Sequence, residues 1–412
     1  MTSTTGGHKG PHPAPLPARP YGHDAHSPTL SNLQTYPKPD TFWPSARSNK
    51  HRHLSATQRR ESAMFGQHRW ALGLATSTSV LGLTVTSGLV ILARRFVEEL
   101  SRPHELVDAA EFTWQVSSTE PEPPLSCQHP LIFRTSDGTL LCGDFWAQPQ
   151  RAPTAIICHG YRASRVYLRP AAVVAYNFGY NVLLFDFRGH GESDSVATSG
   201  GNAEVRDLQA AITAASQQPE TLPGKIIIHG FSMGASVALL TTPHPEVAAI
   251  IADSPYARLD QILRQIVRYR LAQESTSWIP PLNRLRSLFP AVAWATVAAS
   301  TIVFRLRFGH ALVARPDMSF KRCRARAKSV LQLHQTPILL IHAAGDEIIP
   351  IAHARQLVAK AHAYNVPLET YFVDYAIHCG AYRWNPQRYK AVLQQFLSRH
   401  LQDDFSPQKQ GS

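Results

Sequence analysis

Cysteine is scarce in this sequence, with five in 412 residues. That excludes a small domain stapled by disulfides, and the odd count leaves at least one thiol unpaired. Acidic residues are also few, 29 against 41 Lys and Arg, for a formal net charge of +12. Binding nucleic acid would need a basic stripe on a recognisable module, and no such module is present. Wholly disordered chains are excluded too, because 44% of the residues are hydrophobic.

The positive charge is confined to two places. Residues 1–102 hold 12 basic and 5 acidic residues, residues 258–328 hold 14 and 3, and the remainder is mildly acidic. Two basic segments on an acidic body fit attraction to anionic lipid headgroups, about 1 kcal/mol per well-placed Lys or Arg. Residues 1–68 read as a disordered arm: prolines at 11, 13, 15, 17 and 20 sit among Gly, His, Ser and Thr, without apolar periodicity. Its seven histidines (His8, His12, His23, His26, His51, His53 and His68) read as solvated rather than as a metal site.

Uncharged runs are rare. One, Trp70–Ala93, has 24 residues between Arg69 and Arg94-Arg95. About 20 apolar residues span a bilayer, so 69–95 is expected to be a transmembrane helix. Lys50, Arg52, Arg59, Arg60 and Arg69 precede it, and Arg94, Arg95 and Arg102 follow. The bias predicts the arm inside and the large domain outside, on the extracytoplasmic face, with the cytoplasmic face as the alternative. A linker is expected over 96–128, including the Pro/Glu-rich stretch 119–124, then a folded domain over 129–402 and a flexible tail over 403–412.

Within the domain, Leu131–Thr135 and Thr139–Trp146 read as strands around Ser136-Asp137-Gly138, a hairpin signal. Short apolar strands then alternate with longer helical segments as far as Pro386–His400. Such alternation predicts an α/β fold with a mostly parallel sheet covered on both faces. Between Ala252 and Pro337 it stops. This segment reads as a helical cap over about 258–330, with turns at Pro280-Pro281 and Pro290.

Gly230-Phe231-Ser232-Met233-Gly234 follows the apolar strand Lys225–His229 and precedes a helical stretch. This is the G-x-S-x-G nucleophile elbow in its strand–turn–helix context, with Gly230 and Gly234 keeping bulk away from a strained serine. A serine hydroxyl needs a base to remove its proton. The order expected is Ser, then Asp or Glu, then His. Asp346 and His378 both follow downstream strands, where working residues of such sheets collect. Asp253 is the rival acid, and His159 and His190 the rival histidines. For the oxyanion, the N–H groups of Met233 and Tyr161 are the expected donors.

The motifs CHGY (158–161), FDFRGHGES (185–193), GFSMG (230–234), ADSPYA (252–257), HAAGDEIIP (342–350) and IHCGAY (377–382) resemble those of α/β-hydrolases. The chain is most similar to bacterial membrane-anchored members near the serine aminopeptidase and monoglyceride-lipase-like group. Ala235 departs from the second glycine that many relatives carry. The resemblance implies Ser232, Asp346 and His378 as a triad, and Asp186, Arg188 and Gly189 as a structural loop beside it. It implies no cofactor and no metal.

Leu288–Phe304 is a second uncharged run. Ser232 precedes it while Asp346 and His378 follow, so one crossing there would split the triad across a membrane. It is expected to be a lid helix or a segment lying on the bilayer surface. The expected activity is a serine hydrolase cleaving a carboxylic ester, either a small-molecule or a lipid ester. Acyl transfer, peptidase activity and a catalytically silent membrane scaffold are the alternatives.

Overall fold

The computed structural model describes residues 83–84, 86–103, 120–241, 244–277, 286–321 and 336–401. All fall within the compact unit Ala71–Ser412. The expected arm over 1–68, residues 69–82 of the expected transmembrane helix, most of the linker, the turn at Pro280-Pro281 and the tail from 403 lie outside the described residues.

One eight-stranded sheet organises the domain, in the spatial order β1-β2-β4-β3-β5-β6-β7-β8. In chain order the strands are β1 (Gln128–Arg134), β2 (Leu140–Trp146), β3 (Ala152–Cys158), β4 (Asn181–Phe185), β5 (Thr221–Phe231), β6 (Val247–Asp253), β7 (Ile338–Ala343) and β8 (Leu368–Val373). The β1–β2 and β2–β4 pairings are antiparallel and the others parallel. Strands β3, β4 and β7 are buried along their whole length, which is why they read as continuous apolar runs.

Side chains alternate between two cores, as a period of two requires. Ile157 points to the face covered by α2 (Arg169–Asn177) and the C-terminal helix Pro386–Leu401. Its neighbour Ile156 points to the face covered by α3 (Glu204–Ser216), α4 (Met233–Thr241) and the helix Ala352–Ala363.

Between β6 and β7, within the segment expected as a cap, stand α5 (Leu259–Ser277) and α6 (Phe289–Phe308). The turn expected at Pro290 is instead the first turn of α6. A proline is tolerated there because that N–H has no intrahelical acceptor. Arg305 and Arg307 close the last turn and Gly309 caps it at φ +74°, in the left-handed region. Among the described residues, Arg286–Phe308 is the one helix long and apolar enough to cross a membrane. It joins two strands of the same sheet, so it is not a single crossing.

A further helix, α1, covers residues 86–101. The sequence pattern ends a helix at 95 and begins a linker at 96, but the chain stays helical for six more residues. Packing explains the difference. Phe96 and Val97 are buried in a third apolar cluster with Ile262, Leu263 and Val267 of α5 and Ala293, Val297 and Phe304 of α6.

Candidate active site

The residues of the candidate site lie at the carboxyl ends of β5, β6, β7 and β8. Ser232 follows β5 directly and has φ +54°, a region that costs a non-glycine residue energy and persists only when its surroundings enforce it. Here the enforcement is visible. The Ser232 N–H donates to the Asp253 carbonyl at 2.8 Å, and the Ser232 carbonyl accepts from the Ser236 N–H at 3.1 Å. A Cβ on Gly230 would meet Ala235 N at 2.5 Å, and one on Gly234 would run into the backbone oxygens of Cys158 and His159. Gly230 is therefore required by the tight turn into α4, and Gly234 by close packing of the elbow against the end of β3.

Asp346 and His378 are brought together directly. His378 Nδ1–H donates to Asp346 Oδ2 at 2.7 Å. The other oxygen, Oδ1, accepts the N–H groups of Ile348 at 3.0 Å and Ile349 at 2.7 Å, which fixes the carboxylate. This leaves His378 Nε2 as the ring's remaining proton-accepting position. Burial of the ring acts to lower its pKa, yet Cys379 and the Asp346 carboxylate overcome this and the net direction is well above the usual 6.5.

Asp253, the rival acid, serves another purpose. It is fully buried, accepting from Tyr389 OH at 3.0 Å and from Ser254 OH at 3.0 Å. Burial pushes its pKa up to about 6. Ser254 Oγ in turn accepts the Cys379 N–H at 3.1 Å. The pair thus braces the loop that presents His378.

The rival histidines prop up the loop after β3. His159 Nδ1–H donates to the Gly160 carbonyl at 2.7 Å, and Nε2 accepts the Phe187 N–H at 2.9 Å. Burial pushes its pKa down to about 3, so it stays neutral in this role. His190 Nε2 accepts the Arg162 N–H at 3.2 Å, while its Nδ1–H donates to the Arg188 carbonyl at 2.9 Å. Arg162 has φ +62°, a bend that turns the preceding residue's backbone. Tyr161 N–H donates to no protein acceptor among the described residues. Met233 N–H, at the first position of α4, lacks an intrahelical one.

The loop after β4 is held by ion pairs. Arg188 pairs with Asp207 at 2.6 Å and Asp137 at 2.9 Å, whereas Glu192 pairs with Arg165, which also engages Asp144 and the buried Asp186. Cys158 and Cys379 are buried, and burial raises both thiol pKa values, so they pack rather than react. Cys127 and Cys142 are free thiols. Among the described residues no three His, Cys, Asp or Glu side chains gather as a set of metal ligands.

Of the residues that the sequence singles out by motif and order, the structure joins Asp346 and His378 and places Ser232 directly after β5. Sequence reasoning missed the Asp253–Ser254 brace and the His190–Arg162 contact, which join residues distant in the chain. It also missed α1, whose Leu100 and Glu99 carbonyls accept from Tyr161 OH at 3.0 and 3.4 Å.

Known proteins fit this picture. The family model described as "Serine aminopeptidase, S33" matches residues 149–378. The uncharacterized Bacillus subtilis protein YqkD is 29% identical over 250 residues, 59% of this chain and 70% of that protein. An uncharacterized Mycobacterium tuberculosis protein is 26% identical over 235 residues, 56% of this chain and 66% of its own length. Among solved structures, an esterase of Pyrococcus furiosus shares the fold with a TM-score of 0.50 and 22% identity, over 73% of this chain and 98% of that one. The elbow after β5, the sheet order and the matched 149–378 span agree, and the chain belongs to the serine aminopeptidase S33 family of α/β-hydrolases.

Proposed function

We propose that this hydrolase cleaves a carboxylic ester through an acyl-enzyme intermediate on Ser232. The observation that carries the proposal is the 2.7 Å bond from His378 Nδ1–H to a fully anchored Asp346. It commits the Nδ1 proton to Asp346, so that the neutral ring presents Nε2 as the acceptor for the proton of a serine hydroxyl. In the first half-reaction Ser232 Oγ bonds the substrate carbonyl carbon and its proton passes to His378 Nε2. Collapse of the tetrahedral intermediate breaks the bond to the alcohol, which leaves with that proton. Water then repeats the sequence, releasing the acid and restoring Ser232. Asp346 orients the ring and stabilises its cationic form, while Met233 and Tyr161 N–H groups hold the oxyanion, each donor worth about 10²–10³ in rate. Gly230 and Gly234 keep the elbow tight.

An ester is favoured over a peptide because an alcohol asks less of the general acid. The substrate is a small-molecule or lipid ester. The reading includes a membrane anchor over 69–95 with the catalytic domain extracytoplasmic, the cytoplasmic face being the alternative. Exposed Trp294, Ile302 and Leu306 on α6 support contact of the cap with lipid. Acyl transfer is the second reading, favoured by a Stachybotrys chlorohalonatus polyketide transferase that is 32% identical over 127 residues, 30% of this chain and 43% of that protein.

Steady-state and burst kinetics on p-nitrophenyl esters of graded chain length test the proposal. A burst of nitrophenol in wild type and none from Ser232→Ala is expected; equal turnover by the two proteins would overturn it. Added alcohols or amines that appear in the product would favour transfer over hydrolysis.

A further inference from the structure

One polar side chain interrupts the apolar run of β7. Leu339, Ile341 and Ala343 belong to the first core, and Ile338 and Leu340 to the second. A period of two puts His342 with Ile338 and Leu340, where an aliphatic side chain would suit the packing. The ring is fully buried. Its Nε2–H donates to the Ile349 carbonyl at 2.8 Å, while Nδ1 has no partner among the described residues. A buried polar atom left unpaired is costly. Packing alone therefore gives no reason for an imidazole here.

The ring's neighbours supply a reason. His342 Nε2 lies 3.7 Å from Asp346 Oδ2, the oxygen that accepts the His378 Nδ1–H. Ile349, which His342 holds by its carbonyl, is also the residue whose N–H donates to Asp346 Oδ1 at 2.7 Å. Both backbone groups of Ile349 are thus committed, one to the strand and one to the acid. Its side chain is buried in the third apolar cluster, with Phe96 and Val97 of α1 and Ile262, Leu263 and Val267 of α5. Movement of the cap would reach Asp346 through Ile349, and the bond to His342, at the end of β7, opposes it. Burial keeps the His342 pKa below the usual 6.5 against the pull of the Asp346 carboxylate, which favours the neutral ring. A cation in this place would compete with His378 for the charge of Asp346.

Resting on the ester-hydrolase reading, we propose that His342 is a positioning residue: through Ile349 it fixes the Asp346 carboxylate, and with it the His378 ring, against movement of the cap. What the role needs is an uncharged donor at the place of Nε2.

The test compares the full chain in detergent with two variants. His342→Gln can place an amide N–H near the position of Nε2, whereas His342→Met fills the space without a donor. On p-nitrophenyl esters His342→Met should lower kcat about tenfold, the scale of one hydrogen bond, with KM little changed, and His342→Gln should recover most of that loss. The acid limb of kcat/KM should move to lower pH in His342→Met, because a loosened carboxylate favours the charged His378 less, and should stay in place in His342→Gln. Equal loss in the two variants, or a loss without a shift of the limb, overturns the positioning role. A second readout does not depend on turnover. The low-field proton resonance of His378 Nδ1–H should persist in wild type and His342→Gln and should broaden or vanish in His342→Met. Its persistence in both variants rejects the role even where wild type turns over no ester. Equal turnover by wild type and Ser232→Ala would instead overturn the ester-hydrolase reading. Should His342→Met not fold, His342→Leu, which also lacks a donor, takes its place with the same expected and contrary results.

Discussion

The Asp346–His378 contact sets the most direct prediction at the scale of single residues. The base must be neutral to act, and its pKa lies above the usual 6.5. Activity should therefore fall on the acid side at a pH above 6.5. Asp346→Asn removes the carboxylate that favours the charged ring, so the acid limb should move to lower pH while kcat drops by about 10³–10⁴. A pH profile of kcat/KM for both proteins checks the shift and its sign. Ser232, Asp346 and His378 were legible because each sits in a local motif with a characteristic spacing after a strand. The residues bracing them were not. Ser254 meets the Cys379 N–H across 125 positions, and no local pattern reports such a partner. Packing around the elbow gives a second prediction. Gly234→Ala drives a methyl group into the carbonyls of Cys158 and His159, neither of which can move without disturbing β3. It should cost about 1–3 kcal/mol of stability, seen as a lower Tm.

At the scale of elements, the alternation of apolar strands and helices predicted the mostly parallel sheet and its covered faces, and the hairpin signal at Ser136-Asp137-Gly138 the antiparallel pair. These follow from period-two burial and from runs buried on both sides, as in β3 and β7. Helix α1 was less legible, because apolar length marks a span but says nothing about where a helix docks. Its Phe96 and Val97 are buried against the cap and its end supports Tyr161. Removing residues 1–82 should leave kcat/KM within about twofold, as additive behaviour of distant sites implies. Removing residues 1–103 should cost about 3–6 kcal/mol, since the cap loses the packing of the buried Phe96 and Val97 side chains, and should lower kcat sharply. Thermal melts and steady-state assays on the two truncations separate these outcomes. Tyr161→Phe isolates the tether itself: it should reduce kcat with little change in KM, because the loop carrying an oxyanion donor loosens while the aromatic ring is kept.

At the scale of the whole molecule, one sheet gathers Ser232, Asp346 and His378 at one end, while the basic cap and α1 close over that end. The cap's function was not legible, since its exposed Trp294 and Leu306 and its arginines satisfy both a lid and a lipid-facing surface. The proposed chemistry draws on the sheet without the cap. In that reading a strained serine at the tip of β5, a hydrogen-bonded Asp346–His378 pair and the backbone N–H groups of Met233 and Tyr161 form an acylating centre. Labelling the full chain with a fluorophosphonate probe, for wild type and for Ser232→Ala, tests that claim most directly. Labelling of wild type that disappears in Ser232→Ala is the predicted result. Equal labelling of both proteins, or none in folded wild type, would contradict the account.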